Sequence, residues 1–400
     1  MTGGADRIAI VGGGPVGLTA AFLLARAGLP VTLFERETEV LKDYRASTFH
    51  PPTLDLLEDT GISDALIDMG IKCPVVQYRS WAEGKIAEFD HGLLKNDTRH
   101  PYRLQCEQYK LSGHLFEMLS KTPGVELRYD HEVTALDQDE DAVTLTVQGR
   151  RKREEIRAAY VIAADGGRST MRKLLEIGFP GFTYEERILV IGTTLDFRTL
   201  FPDIANVNYV SDPVYYGHIL RIPDLWRISQ PIADGMSDEE ALSDAEIETR
   251  LNRVMPGLRL PDVRVRGVYH VHQRVADTYR KGRVFLAGDA AHLNNPKGGM
   301  GMNGGLHDVI DLTQRLAELW HGNEDERTLD GYEVLRRPEA IDDIHRQTER
   351  NVRALKEDDP EAREKIFANW RRMAADPVKA RAHLLETSMI ASLRRCGMLR

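Results

Sequence analysis

Glycines and acidic residues at the ends of apolar runs are the first places where this chain could do chemistry. Gly12-x-Gly14-x-x-Gly17 follows the β-rich run Arg7 to Val11 and leads into a helix-forming stretch, Leu18 to Ala27, that ends at Gly28. Glycines at that spacing permit a tight turn, close approach of the backbone to a pyrophosphate and close packing of the next helix, whose N-terminal N–H groups receive the anion. Pro15 and Val16 complete the turn. Glu35 ends the next apolar run, Pro30 to Glu35, with Arg36 beside it. A carboxylate there accepts hydrogen bonds from ribose hydroxyls.

A second glycine cluster is denser. GDAAHLNNPKGGMGMNGG, from Gly288 to Gly305, holds six glycines in eighteen residues. Each costs about 0.5–1 kcal/mol against Ala in a regular element, so the density needs a role. A flexible linker is one reading, but the stretch follows the buried run Val284 to Ala287 and precedes an amphipathic pattern, Leu306 to Trp320, which favours close backbone approach to a ligand. Asp289 stands at the carboxyl end of a strand, where ligands bind in open α/β sheets, or it caps a helix. Gly298, Gly299 and Gly301 would let backbone approach a planar ring, and a helix starting near Met302 would aim its positive dipole end there. Lys297 could attract an anionic group or stand solvated in its loop.

These sites imply a sheet. Tyr160 to Ala164 is a third apolar run, ending at Asp165-Gly166. Alternation predicts strands at 125–129, 132–136 and 143–147, a helix over 111–119 and a strand pair within 71–95. Between about 180 and 268 the pattern changes to strands at 189–195, 207–210, 215–222 and 226–232, a largely antiparallel sheet inserted into the first domain. After Tyr332 the chain is charge-rich and helical. The division expected is 1–70, 98–178 and 269–335 for a discontinuous nucleotide domain, 71–97 and 179–268 for a substrate domain, and 336–400 for C-terminal helices.

The chain has 42% apolar residues, so it can bury sizeable cores. A net charge of −9 gives no footprint for nucleic acid. Three scattered cysteines allow neither a disulfide framework nor a metal pair, and His270 and His272 lack acidic or sulfur partners at ligand spacing, so no metal site is expected. No apolar stretch approaches membrane-spanning length, and a cytoplasmic protein is expected. The sequence does not set the oligomer, a homodimer being one option.

Glycine motif, Asp-Gly and Gly-Asp in this order resemble the flavoprotein aromatic hydroxylases typified by para-hydroxybenzoate hydroxylase, the group A flavoprotein monooxygenases, over most of residues 5–340. ADGGRSTMRK is similar to the family's Asp-Gly segment near the flavin pyrophosphate, which places Asp165, Ser169 and Arg172 there. GDAAHLNNPKGGMGMNGG is similar to the segment whose Asp contacts the ribityl chain, which implies that Gly288, Asp289, Pro296, Gly301, Met302 and Asn303 line the flavin. YRASTFHPPTLDLLEDTGI puts Arg45 beside the flavin, LQCEQYKL puts Gln105 near the ribityl chain, and YEVLRRPEA resembles the close of the catalytic core. The implied fold is α/β: a doubly wound FAD-binding domain, an inserted, mainly antiparallel substrate domain and C-terminal helices. The implied cofactor is non-covalent FAD, with NAD(P)H a transient co-substrate at the surface. O₂ would add at flavin C4a, and the hydroperoxide would pass an oxygen atom to a phenol or hydroxylated heteroaromatic.

YVSDP, Tyr209 to Pro213, resembles a stretch whose tyrosine binds the substrate phenol, nominating Tyr209 over a tyrosine that merely packs. His218 could deprotonate an aromatic hydroxyl and Arg221 could hold a carboxylate, but three residues apart on a strand they face opposite ways. Two other uses of the scaffold compete: a flavin reductase or dehydrogenase that inserts no oxygen, and a carrier that has lost the cofactor. Retention of Arg45, Gln105, Asp165 and Asp289 speaks against the carrier.

Overall fold

Near-continuous apolar runs at Ile8–Val11, Val31–Phe34 and Tyr160–Ala163 can be satisfied only by a sheet covered on both faces. In the computed structural model, which describes residues 6–42, 44, 46–254 and 260–399, all three are fully buried and sit side by side in parallel, with Ile8 paired to both Val31 and Tyr160. Val284–Leu286 extends the sheet on one side and Val125–Arg128 on the other, both parallel, while Arg280–Lys281 closes an edge antiparallel. The helices Pro15–Arg26 and Gly301–Trp320 lie against each other and pack with the sheet in one core. A three-stranded antiparallel meander, His131–Gln138, Val143–Gly149 and Arg153–Ala158, has Arg150 at its solvent-exposed turn.

The second sheet has eight strands and is antiparallel except where Val207–Ser211 runs parallel to Val75–Ser80. The strand pair expected within 71–95 therefore joins the inserted sheet. Val263–Val275 is one continuous strand of this sheet, and its last residues pair with His292–Leu293 of the glycine segment. One face packs on the C-terminal helices through Tyr78, Tyr209, Tyr216, Leu220, Phe367 and Trp370. The other covers Ile191, Ile219, Trp226 and Ile228 together with Ile247 and Leu251 of the helix Asp244–Val254.

The helix expected to start near Met302, with its amphipathic pattern from Leu306, begins at Gly301. Gly304 and Gly305 read as breakers by propensity, yet they are interior positions selected by packing. A Cβ on Gly305 would lie 2.9 Å from the Gly288 Cα and 2.8 Å from Val16 Cγ2. Tertiary closeness overrides the local cost of glycine. Among the described residues no helix is long and apolar enough to cross a membrane.

Candidate active site

Gly12 adopts a φ of +109°, and a Cβ there would meet the Ala164 carbonyl oxygen at 2.3 Å; on Gly17 it would meet the Gly12 oxygen at 2.0 Å. Gly17 is thus required by the turn itself and Gly12 by its φ and by the neighbouring strand end, whereas Gly14 has open space around it. Gly14 is the N-cap of Pro15–Arg26, with no side-chain cap and no acid in the first turn. The N-terminus of Gly301–Trp320 is likewise uncapped and without acid. Some other helices recruit caps, from Ser169, Ser237, Asp359 and Asp376, while others, Gln108–Leu119 among them, do not, so it is the glycine turns before these two ends that set them apart. Two helix ends left with their partial positive charge suit a ligand that is anionic at two places, as FAD is at its pyrophosphate and, when reduced, at its pyrimidine edge.

Glu35 fits the ribose position. Its half-buried carboxylate accepts from the Gly13 N–H at 2.5 Å and from the Glu37 N–H at 2.9 Å, which fixes it at the mouth of the turn. Arg36 is exposed and lies 3.4 Å from Glu37. Val16 packs against both Gly288 and Gly305, which also touch each other, so the first motif braces the second. Asp289 is exposed and lies within the 3-10 turn Gly288–Ala290, not at its N-cap. Asp165 serves its own loop: it accepts from the Ser169 hydroxyl at 2.6 Å and the Met171 N–H at 3.0 Å, while Ser169 caps the following helix through the Arg172 N–H. Arg172 stacks on Phe179 and donates to the Ala290 and Gly167 carbonyls, tying the Asp-Gly loop to the Gly-Asp loop. Arg45 falls outside the described residues.

Beneath Gly288 lies a buried ionic knot that sequence reasoning missed. The Asp308 carboxylate accepts from the Gly288 N–H at 3.0 Å, from His292 at 2.8 Å and from Arg336 at 2.9 Å, and Arg336 also reaches Glu339 at 3.1 Å. Although burial opposes ionisation, His292 and Arg336 hold Asp308 down to about 2, and Asp308 in turn outweighs burial to raise His292. The signal lay in YEVLRRPEA, which supplies Arg336.

Asn303 stitches the glycine segment to the strand Thr48–Phe49. Its amide donates to the Thr48 and Gly299 carbonyls and its oxygen accepts from the His50 N–H and the Thr53 hydroxyl. Pro296 accepts from the Gly299 N–H, and Met302 packs against the nucleotide-domain core. Gly299, at φ +72°, lies so close to Thr48 that a Cβ would come within 2.9 Å of it. Gln105 is fully buried, accepting from Ser47 and donating to Thr48 at 2.8 Å. Its side chain orders the wall next to the glycine segment.

On the second sheet, register lines up Tyr78, Tyr209, His218 and Ser229 as successive cross-strand partners, and such partners share a face. Tyr209 and His218 are therefore neighbours. Arg221 is not with them: it lies on the opposite face, 5.9 Å from the Trp226 ring. The Tyr209 hydroxyl accepts from Arg103 Nη1 at 2.8 Å, so its own proton remains to donate, and Arg103 also donates to the Thr387 carbonyl. His218 shares a 2.7 Å hydrogen bond with Ser229. Burial, then the cations Lys297 and Arg227, push the His218 pKa well below its ordinary value, so the ring is neutral and a weak base. Burial followed by Arg103 lowers His50 in the same way and takes His91 to about 3 and His383 to about 4. The His50 ring meets the Gly298 carbonyl at 2.9 Å, joining the Arg103 side of this face to the residue after Lys297. Arg103 lies two residues before Gln105 on one strand, a same-face relation that could have nominated it.

The site thus combines a nucleotide cleft with a cation-rich, histidine-neutral sheet face. A family model described as FAD binding domain matches residues 6–347. The chain is 34% identical to para-nitrophenol 4-monooxygenase of Pseudomonas sp. (strain WBC-3), over 97% of both chains. It is 33% identical to 6-hydroxy-3-succinoylpyridine 3-monooxygenase HspB of Pseudomonas putida (strain DSM 28022 / S16), over 88% of this chain and 89% of that protein. The crystal structure of p-nitrophenol 4-monooxygenase PnpA from Pseudomonas putida DLL-E4 superposes with a TM-score of 0.92 at 34% identity, covering 97% and 98% of the two chains. These relatives insert oxygen, which favours hydroxylation over the reductase alternative. The chain belongs to the FAD-dependent aromatic hydroxylases, and is an FAD-dependent aromatic monooxygenase with NAD(P)H as co-substrate.

Proposed function

We propose that this monooxygenase hydroxylates a small phenol or hydroxylated heteroaromatic, held between the glycine segment and the Tyr78–Tyr209–His218–Ser229 row. The observation that carries the reading is the Tyr209 hydroxyl: because Arg103 donates to it, it is set to donate to an oxygen on the substrate. The relatives act on para-nitrophenol and on a hydroxypyridine, and this chain's Tyr209 suits either kind of ring hydroxyl.

FAD, reduced by NAD(P)H, supplies activated oxygen. The chain's own residues orient and exclude. Asp289, with Glu35 and the two uncapped helix ends, would hold the cofactor, and Gln105 and Asn303 would keep the wall beside it rigid. Tyr209 would orient the ring, and apolar packing of Tyr78, Phe89 and Trp370 behind it would exclude water. Exclusion keeps reducing equivalents from being lost as peroxide.

The test is oxidation of NADH and of NADPH, run separately, with product analysis over phenols, nitrophenols and hydroxypyridines. O₂ uptake matched by hydroxylated product is expected for at least one ring class. NAD(P)H oxidation without any oxygenated product would overturn the reading.

A further inference from the structure

Three successive carbonyls of the glycine segment are each held by a side chain. Lys297 accepts from the Asn351 amide at 3.0 Å, Gly298 meets the His50 ring at 2.9 Å, and Gly299 accepts from the Asn303 amide at 2.7 Å. A further carbonyl, that of Leu293, meets the His345 ring at 2.9 Å. Gly298 and Gly299 stand at φ +123° and +72°, and glycine has many conformations open to it, so the loop's own backbone does not choose among them. Side chains from outside the loop must do so. Lys297, whose carbonyl Asn351 holds, is 1% exposed and lies over the Tyr216 ring, 5.3 Å from its centroid.

Asn351 and His345 belong to one strap laid across the loop. The π-helical turn Glu339–His345 leads into the helix Arg346–Lys356, and π turns are rare features found often at functional places. Gln347, one turn before Asn351, donates to its Oδ1 at 2.9 Å, which fixes the amide's orientation and leaves Nδ2 for the Lys297 carbonyl. The fit is close: a Cβ on Gly298 would come within 3.1 Å of that Nδ2, and one on Gly304 within 2.8 Å of Ile344 Cδ1. The far end of the strap is anchored on the second sheet, where the Leu355 carbonyl accepts from the Ser211 hydroxyl and the Asp212 N–H, both at 3.1 Å, and Glu349 accepts from Gln273 at 2.7 Å. Burial takes the His345 pKa down to about 4, so near neutral pH its ring is uncharged and its Nε2–H donates to Leu293.

We propose that Asn351 is a positioning residue for the flavin: its amide, aligned by Gln347, orients the Lys297–Gly298 peptide and, together with His345, holds the glycine loop in the one conformation that faces the ring. A planar trans peptide whose carbonyl is turned to the strap must turn its N–H away from it, so one hydrogen bond sets both groups of that peptide. The proposal rests on the reading that this loop borders the flavin, and Asn351 acts through the loop.

The experiment is hydrogen–deuterium exchange of the oxidised, FAD-loaded enzyme, followed peptide by peptide, together with visible circular dichroism of its flavin. Asn351→Leu keeps the side chain's size and loses the donor. Exchange across residues 293–303 should quicken about two- to tenfold, the equilibrium factor of one neutral hydrogen bond, and the flavin band should change shape. Exchange within the strap, 346–356, should rise less, whereas an asparagine that merely stabilised its own helix would show the reverse. Gln347→Leu, a milder change at a half-buried position, should act in the same direction, and adding it to Asn351→Leu should quicken the loop no further. Arg350→Leu, an exposed change on the same helix, should leave both readouts at their wild-type values. Loop exchange unmoved in both Asn351→Leu and Gln347→Leu would overturn the clamp. A quickened loop beneath an unaltered flavin band would overturn the positioning role instead, and with it the placement of this loop beside the ring.

Discussion

Replacing Lys297 by Met removes the charge while keeping an unbranched side chain of similar length, and the protein should become more stable, more so at low pH. A fall in pKa from 10.5 to about 7 means the folded state binds fewer protons than the unfolded state between those values. Stability of the wild type therefore rises with pH across that window, and the burial cost is fully present below about 7. That cost is at most roughly 5 kcal/mol near pH 6, where Nζ is charged in both states, and roughly 2 kcal/mol near pH 9, where only the unfolded chain carries the charge. Exchanging buried ions for apolar groups elsewhere gains about 1–4 kcal/mol, which sets the expected size for Lys297→Met near pH 6. Urea unfolding of both proteins at the two pH values, in saturating FAD and with FAD affinities measured to correct for linkage, gives the difference directly. A variant less stable at both pH values, or one whose gain does not shrink as the pH rises, would refute a buried, destabilising ammonium.

Asp308→Ala leaves His292, Arg336 and the Gly288 N–H without their shared acceptor, and should cost about 3–5 kcal/mol in denaturant unfolding; a loss below about 1 kcal/mol would show the knot to be dispensable. Asp289→Ala should bind FAD more weakly while folding normally, read as flavin retained after gel filtration; a fully yellow variant with normal turnover would remove Asp289 from the site. Tyr209→Phe takes away the acceptor of Arg103 and the donor to the substrate, so hydroxylated product per NAD(P)H consumed should drop, and unchanged coupling would strike Tyr209 from the catalytic residues.

The parts of the fold most readable in advance were those where local cause suffices. Gly17 is demanded by a contact within its own turn and Gly12 by its positive φ, with Ala164 crowding it as well, and the pairing of Tyr209 with His218 needs only two adjacent strands. Tyr209 and His218 were nominated separately, and it is register that makes them neighbours. What could not be read was the burial of charge. A lysine in a glycine-rich loop defaults to solvent, and only Tyr216, Asn351 and the sheet above it turn Lys297 inward. Arg103 depends on Thr387, 284 residues away, and Arg336 on an aspartate a helix apart. Gly304 and Gly305 are unfavourable in a helix by local propensity, and the neighbours that select them, Ile344 and His292 for one and Gly288 and Val16 for the other, are distant in the chain.

The direct contact of Gly305 with Gly288, both of them against Val16, also sets an order of events during synthesis. The first glycine turn can form once its own βαβ unit has left the ribosome, but the wall that closes on it is encoded almost 300 residues later, and the Asp308 knot that fixes that wall waits for Arg336. A cleft completed by such distant segments is assembled late, because closing a long loop must precede any contact that rewards it. The nascent chain therefore spends most of its translation with the apolar floor of the cleft uncovered, and cofactor capture becomes a closing step of folding, one that cellular FAD supply and chaperones can govern.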